Sequence, residues 1–214
     1  MIKKGKKKIM LGDKSINDFL KELSSSAPVP GGGSVAALSA SLASALTAMV
    51  ANLTIGKKGF EEVNDEMEKI SQESSHYREK FLKDIDKDAE AFNKVMDAFK
   101  LPKSIPEEID KRKQVIQEEF KNAALVPLEV AKDAVKLMEF TSKVVEKGNN
   151  NAISDGAVAT MMARTAVLGA LYNVKINLQS IKDEDFVSQI SKQVNELELK
   201  AIEEEKKILS SVGF

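Results

Sequence analysis

Apolar residues recur at helical spacing along almost the whole chain, and no stretch shows the strict alternation of a half-buried strand. The first helical stretch is Ser15–Leu23, where Ile16, Phe19, Leu20 and Leu23 share a face and Ser15 is placed as an N-cap. It ends in Ser24-Ser25-Ser26-Ala27-Pro28-Val29-Pro30-Gly31-Gly32-Gly33, the clearest loop in the sequence. A second helix is predicted from Ser34 to about Ile55, stopped by Gly56. A third runs from near Phe60 to about Phe99, where Pro102 and Pro106 break it. Pro106 suits the first turn of a fourth helix, which continues to Lys147 with a kink expected at Pro127. Gly148 and three Asn end it; a fifth helix spans Asn151–Leu178 and a sixth Glu184–Ser210. The pattern predicts an all-α, up-and-down bundle of about six helices. The second and fifth are its apolar centre, and the third and fourth are long outer helices.

The stretch from Leu23 to Gly56 carries no charge, which raises the question of a membrane span. Between Val35 and Ile55 fifteen of twenty-one residues are apolar, but seven of those are Ala. That is weakly hydrophobic for a span, and the highly charged helices around it need an apolar partner. The expectation is a central helix wrapped by the others, with no membrane role. Its Ala and Ser allow close helix approach, within one subunit or across a dimer.

Composition narrows the chemistry. Basic and acidic residues balance at 32 against 33, which argues against nucleic acid as a partner. Without Cys there is no thiolate metal site and no cysteine nucleophile, and the single His76 excludes a site needing two imidazoles. Glu73 and His76 have the Glu-x-x-His spacing of di-iron bundles, but that chemistry needs a second such pair. No metal and no cofactor are therefore expected, and chemistry must come from carboxylates, amines, amides and hydroxyls. The start of the chain carries Lys3, Lys4, Lys6, Lys7 and Lys8, and its apolar run stops at Gly12, too short for a secretory signal. Residues 1–12 read as a Lys-rich flexible tail and 13–214 as one domain, in a cytoplasmic protein.

Two features stand out at the ends of the second helix. Pro30-Gly31-Gly32-Gly33-Ser34 opens directly into it, so free amides and the positive end of the dipole face whatever sits there. The same residues also serve as plain punctuation with Ser34 as cap. At the far end Asn52-Leu53-Thr54-Ile55-Gly56-Lys57-Lys58 places two Lys, either as dipole complements or as ligands for an anion.

These segments, together with Ala27-Pro28-Val29 and Met49-Val50-Ala51, resemble the formiminotetrahydrofolate cyclodeaminase family. That family includes bacterial methenyltetrahydrofolate cyclohydrolases and the C-terminal domain of formiminotransferase-cyclodeaminase. Asp88-Ala89-Glu90-Ala91-Phe92, Leu101-Pro102-Lys103, Asn151-Ala152-Ile153-Ser154-Asp155 and Asn173-Val174-Lys175-Ile176-Asn177-Leu178 follow in the family's order. The resemblance covers about residues 14–210. It implies an all-helical homodimer acting on a tetrahydrofolate derivative, with or without a polyglutamate tail, and without metal or nucleotide.

Helix geometry sorts the matched residues into two levels. Ser34 and Asn52, like Asp155 and Asn173, are eighteen residues apart, hence about 27 Å. If successive helices alternate in direction, one level holds Lys57, Lys58, Ser154 and Asp155. The other holds the Gly31–Ser34 loop, Asn173, Asn177 and Asp88. Asp155 is the first candidate for a catalytic carboxylate, since the first turn of a helix favours the anion. Lys57 is its partner in proton transfer or, with Lys58, a holder of the folate glutamate. Gly31, Gly32, Gly33 and Ser34 would dock a carboxylate or pterin edge, Asn173 and Asn177 would hydrogen-bond the pterin, and Asp88 and Ser154 are further expected substrate contacts. Asp155 is equally suited to capping and the Asn pair to tying helices together. The expected reaction is cyclodeamination of 5-formiminotetrahydrofolate to the 5,10-methenyl form and ammonia. The alternative is cyclohydrolysis of methenyltetrahydrofolate to the 10-formyl product, and a helical dimeric scaffold is the non-enzymatic one. Either reaction site is expected to combine the Asp155 end of one subunit with the glycine loop of the other. The long third and fourth helices overhang the central pair, as a dimer arm or through an interruption.

Overall fold

The computed structural model describes residues 10–213, and among these it contains α-helices and short 3-10 turns but no β-strand. In chain order the helices are α1 (Ile16–Leu23), α2 (Gly32–Asn52), α3 (Asn64–Phe99), α4 (Pro106–Lys147), α5 (Ile153–Leu178) and α6 (Glu184–Ser210). All six predicted helices are present. Ser15 caps α1 by accepting the Asp18 amide at 3.1 Å. The largest boundary changes flank the α2–α3 turn. There Gly56 and Gly59 take left-handed backbone (φ 68° and 89°), and Glu61–Val63 forms a 3-10 turn before α3. Residues 1–9 of the Lys-rich tail lie outside the described residues. Among the described residues, the amides of Leu11 and Gly12 donate to the Asp86 carboxylate on α3 (2.7 and 3.0 Å).

The helices α2, α3, α4 and α5 form a closed ring of antiparallel neighbours, α6 covers α4 and α5, and α1 inserts Phe19 into the core. Contrary to expectation, α2 is not wrapped on every side, since Val35, Leu42 and Met49 along its outward face are exposed. On its inward faces it packs closely because its side chains are small and its hydroxyls find carbonyls. Ser44 and Thr47, and Thr54 just past the helix end, each donate one turn back at 2.8 Å, and Ser39 donates across to Met162 of α5 at 2.8 Å. Helices α2 and Asn150–Leu178 are long and apolar enough to cross a membrane, and 67% and 50% of their most apolar windows are buried inside the bundle.

Antiparallel order brings the end of α2 beside the start of α5, as the level argument requires. Asn149 joins them: its amide N–H donates to Thr54 Oγ1 (2.9 Å), its side chain donates to the Leu53 carbonyl (3.0 Å), and it accepts from Lys57 (2.7 Å). The outer helices are longer than the inner ones. With 36 and 42 residues, α3 and α4 reach about 54 and 63 Å, against about 32 Å for the 21-residue α2. Ser34 of α2 meets Ile85 and Asp88 of α3, so the remainder of α3, to Phe99, projects about 16 Å past the start of α2.

Pro127 lies inside α4, and the helix runs through it unbroken. Proline has no N–H, so the carbonyl of Ala123, one turn earlier, loses its helical donor. Asn177 of α5 supplies the replacement, donating to Ala123 O at 3.0 Å. Asn177→Ala is therefore expected to destabilise the fold by about 1–3 kcal/mol, the cost of a buried carbonyl left without a donor. In a Pro127→Ala background the restored amide satisfies Ala123, and the same substitution should cost markedly less. A double-mutant cycle in urea measures this coupling, and equal costs in both backgrounds would refute it.

Candidate active site

Where α3 and α4 overhang, a cavity of about 370 Å³ opens between the start of α2, the second half of α5 and the overhanging hairpin. Gly31, Gly32, Gly33, Asp88, Asn173 and Asn177 line its inner end. Phe92, Met96 and Phe99 of α3 and Phe120 of α4 form the outer wall. The overhang thus serves as the wall of a cavity within the subunit. The glycines are required by contact. A Cβ on Gly33 would overlap the Asp88 carboxylate, and one on Gly32 would sit 3.2 Å from the Asn173 amide nitrogen.

Asp88 is the single titratable side chain lining the cavity. Its carboxylate lies at the start of α2, where Ser34 Oγ donates to Oδ2 at 3.0 Å. Burial pushes the carboxyl above its ordinary value, opposed by hydrogen bonds from the Ser34 hydroxyl and amide. The Ser34 hydroxyl faces Asp88 and the Ile85 carbonyl, and the residue is fully buried. Docking of a ligand on Ser34, expected from the sequence, does not fit this orientation: the side chain holds Asp88 and does not line the cavity. The start of α2 is likewise occupied by a carboxylate of the protein itself.

The two Asn differ. Both amide hydrogens of Asn177 are used within the fold, on Ala123 O and on Asn173 O (2.9 Å), which leaves its carbonyl oxygen for a ligand. Asn173 donates one hydrogen to Gly169 O at 2.8 Å and keeps its other hydrogen and its carbonyl oxygen.

Lys57, Lys58, Ser154 and Asp155 lie at the opposite end of α2 and α5 and do not line this cavity. Lys57 bonds Asn149 and passes 5.6 Å from the Phe60 ring centre, so part of its role is structural. Lys58 and Ser154 are exposed, and Asp155 is half-buried without a hydrogen-bond partner among the described residues. The sequence reading singles out Asp155 as the catalytic carboxylate and Asp88 only as a substrate contact, because a helix start is visible in sequence and the burial of α3 against α2 is not. That reading also missed the aromatic wall. The available signal was a second apolar stripe, Phe92, Met96 and Phe99, beside the buried stripe Ala91, Val95 and Ala98.

The raised Asp88 carboxyl has a thermodynamic consequence. Below about pH 4 the group is protonated both folded and unfolded and costs nothing. As pH rises through the unfolded and then the folded value, ionisation favours the unfolded chain, so stability falls. Asp88→Asn is expected to raise the melting temperature at pH 7, with the gain shrinking towards pH 4. Thermal melts across that range check it; a gain that grows as pH falls would reverse the sign.

The formiminotransferase-cyclodeaminase family model matches residues 15–196. A methenyltetrahydrofolate cyclohydrolase of Methylorubrum extorquens is 39% identical, over 88% of this chain and 90% of its own length. The formimidoyltransferase-cyclodeaminase of Mus musculus is 34% identical over 86% of this chain, which spans only 34% of that longer protein. The crystal structure of formiminotetrahydrofolate cyclodeaminase from Thermotoga maritima superposes with a TM-score of 0.84 at 33% identity, covering 93% of this chain and 96% of that one. Fold, length of match and identity agree: the chain belongs to the formiminotransferase-cyclodeaminase family.

Proposed function

We propose that the protein is a folate one-carbon enzyme that cyclises 5-formiminotetrahydrofolate to 5,10-methenyltetrahydrofolate and ammonia, with Asp88 as its acid–base group. One observation carries the proposal: a single carboxylate, without a cationic partner, at the inner end of an aromatic-walled cavity. The protonated formimino group is an amidinium, and an unpaired carboxylate complements it. About 370 Å³ accommodates a bicyclic pterin, with Phe92, Phe99 and Phe120 available to pack on the rings. N10 adds to the amidinium carbon, and its proton passes to Asp88. The tetrahedral carbon then bears an amine, which takes that proton from Asp88 and leaves as ammonia, giving the methenyl cation and returning the carboxylate. The raised carboxyl suits a group that must accept and return one proton. Asn173 and the Asn177 carbonyl are placed for the pterin edge. No cofactor or metal enters this scheme, and chelators should leave the rate unchanged.

A second reading, cyclohydrolysis of methenyltetrahydrofolate to 10-formyltetrahydrofolate, is favoured by the 39% identical relative of matching length. Water would then attack the same carbon as Asp88 takes its proton; the C–N5 bond breaks as Asp88 returns that proton to N5, and the hydroxyl proton leaves to solvent, so that the formyl group stays on N10. Absorbance at the methenyl band decides between them: gain from the 5-formimino substrate supports cyclodeamination, and accelerated loss from the methenyl substrate supports cyclohydrolysis. Neither change would reject both. Asp88→Asn should lower the active reaction by about 10²–10⁴-fold. An unaltered rate would remove Asp88 from the chemistry.

The proposed assembly is a homodimer, in keeping with a cytoplasmic enzyme. The outward faces of α2 and α5 expose Val35, Leu42, Met49, Val158, Met161 and Tyr172, a run of apolar surface along both central helices. Antiparallel pairing on that face would bring Lys57, Lys58, Ser154 and Asp155 of one subunit towards the cavity of the other, about 27 Å away along its own helix. There the Lys pair would hold the folate glutamate or polyglutamate tail. Complementation tests this. Subunit exchange between Asp88→Asn and Asp155→Asn proteins should restore up to half of a dimer's activity, because one heterodimer site carries neither lesion. No recovery after verified exchange, or full activity of Asp155→Asn alone, would assign the whole site to one subunit.

A further inference from the structure

We propose that Ser34 is a positioning residue that carries Asp88 through both of its protonation states by turning one hydroxyl hydrogen between two acceptors. Ser34 is fully buried, and its Oγ lies 3.0 Å from Asp88 Oδ2 and 3.1 Å from the carbonyl oxygen of Ile85. A serine hydroxyl has one hydrogen and two lone pairs, so it satisfies one of these acceptors at a time. When Asp88 is ionised, the hydrogen points to the carboxylate. When Asp88 carries its proton on Oδ2, the carboxyl O–H donates to Ser34 Oγ and the serine hydrogen turns to Ile85; when a proton exchanged with substrate sits on Oδ1, Ser34 goes on donating to Oδ2. Both arrangements use the same heavy-atom positions, so the proton is gained and returned without a buried donor or acceptor left bare.

The surroundings make Ser34 the main polar control on Asp88. From α2 the carboxylate meets Gly33 and Ser34, and no residue of α2 is charged. α4 presents Phe120 and Ala123 to the cavity, and α5 presents the neutral Asn173, Asn177 and Ile176. On α3 the neighbouring Lys87 is paired with Asp84 at 2.6 Å, and Glu90 is exposed. Gly33 completes the device, because only a residue without Cβ lets the carboxylate come this close to the start of α2.

The inference rests on the acid–base role proposed for Asp88 only in its kinetic consequence, so the experiment has a readout that needs no substrate. The protein is labelled with ¹³C in its Asp carboxyls, and the Asp88 resonance is identified by its loss in Asp88→Asn. Its titration is then followed in wild type, Ser34→Ala, Ser34→Thr and Ser34→Cys, each checked for helicity by circular dichroism. Loss of a hydrogen bond to the ionised carboxylate should move the Ser34→Ala midpoint up by about one to two pH units. Ser34→Thr should restore it, and Ser34→Cys, a weaker donor, should fall between. In the same variants kcat should follow the midpoint, with its basic-form limb displaced to higher pH and KM little changed. An unmoved midpoint in folded Ser34→Ala, or the same midpoint in all three variants, overturns the proposal. A moved midpoint with an unmoved kinetic limb upholds the Ser34–Asp88 coupling and rejects Asp88 as the acid–base group.

Discussion

Close approach to α2 is the constraint on which the rest of the structure depends. A helix wrapped by α3, α4 and α5 cannot carry large side chains on the faces its neighbours reach, and α2 meets this with Ala, Ser and Gly. The same economy operates at its start. Gly33 gives up its Cβ to the Asp88 carboxylate, Gly32 leaves room for the Asn173 amide, and Ala36 packs against Gly169. Two helices, α3 and α5, therefore converge on the first turns of α2, and each brings a polar group with it, Asp88 and Asn173. The cavity's chemistry is a by-product of packing tight enough to seat a carboxylate against a helix N-terminus.

The second constraint is a mismatch of length. A bundle whose helices were equal would close its ends with loops, and the start of α2 would meet solvent. Here α3 and α4 continue past it, and their facing surfaces have no inner helix to cover them. They are apolar nonetheless, with Phe92, Met96, Phe99 and Phe120 facing the gap. Exposed aromatics of this kind cost solubility and are tolerated where a ligand covers them. Arg112 braces the projecting end by donating to the Phe99 carbonyl at 3.0 Å, with its guanidinium 5.6 Å from the Phe99 ring centre. The contact ties the start of α4 to the end of α3 at the tip of the wall.

Much of the fold was legible because the signals were local. Ser15, Pro106, Gly56 and the Gly148 stop are caps and breakers whose effect does not depend on what packs against them. The antiparallel levels followed from helix rise alone, and they put the glycine loop, Asp88, Asn173 and Asn177 together as the structure does. What the sequence did not disclose was direction and partnership. Ser34 looks like a cap or a ligand contact, but its hydroxyl turns to α3 because Asp88 arrives there. Pro127 looks like a kink, and Asn177 like a pterin contact; neither alone reveals that the amide of one replaces the missing N–H of the other. Asp155 is more conspicuous than Asp88 only because helix starts are visible in sequence and burial of a mid-helix carboxylate is not.

The internal hydrogen bonds also limit what the cavity can recognise. Asn177 spends both hydrogens on the backbone, Asn173 spends one of its two, and the start of α2 is occupied by Asp88. Among its side chains the inner end therefore offers mostly acceptors: one carboxylate and two amide oxygens, against a single remaining amide hydrogen. A ligand matched to that set is rich in N–H donors and positive at its centre. An anionic group would meet uncompensated oxygens and pay for it. The pterin edge and amidinium carbon of the proposed substrate satisfy the set, and a free carboxylate tail does not. In the proposed complex the tail therefore lies away from Asp88, towards the open side of the cavity. This selectivity arises because the fold uses its donors elsewhere, so the same bonds that hold α5 to α4 set the polarity of the site.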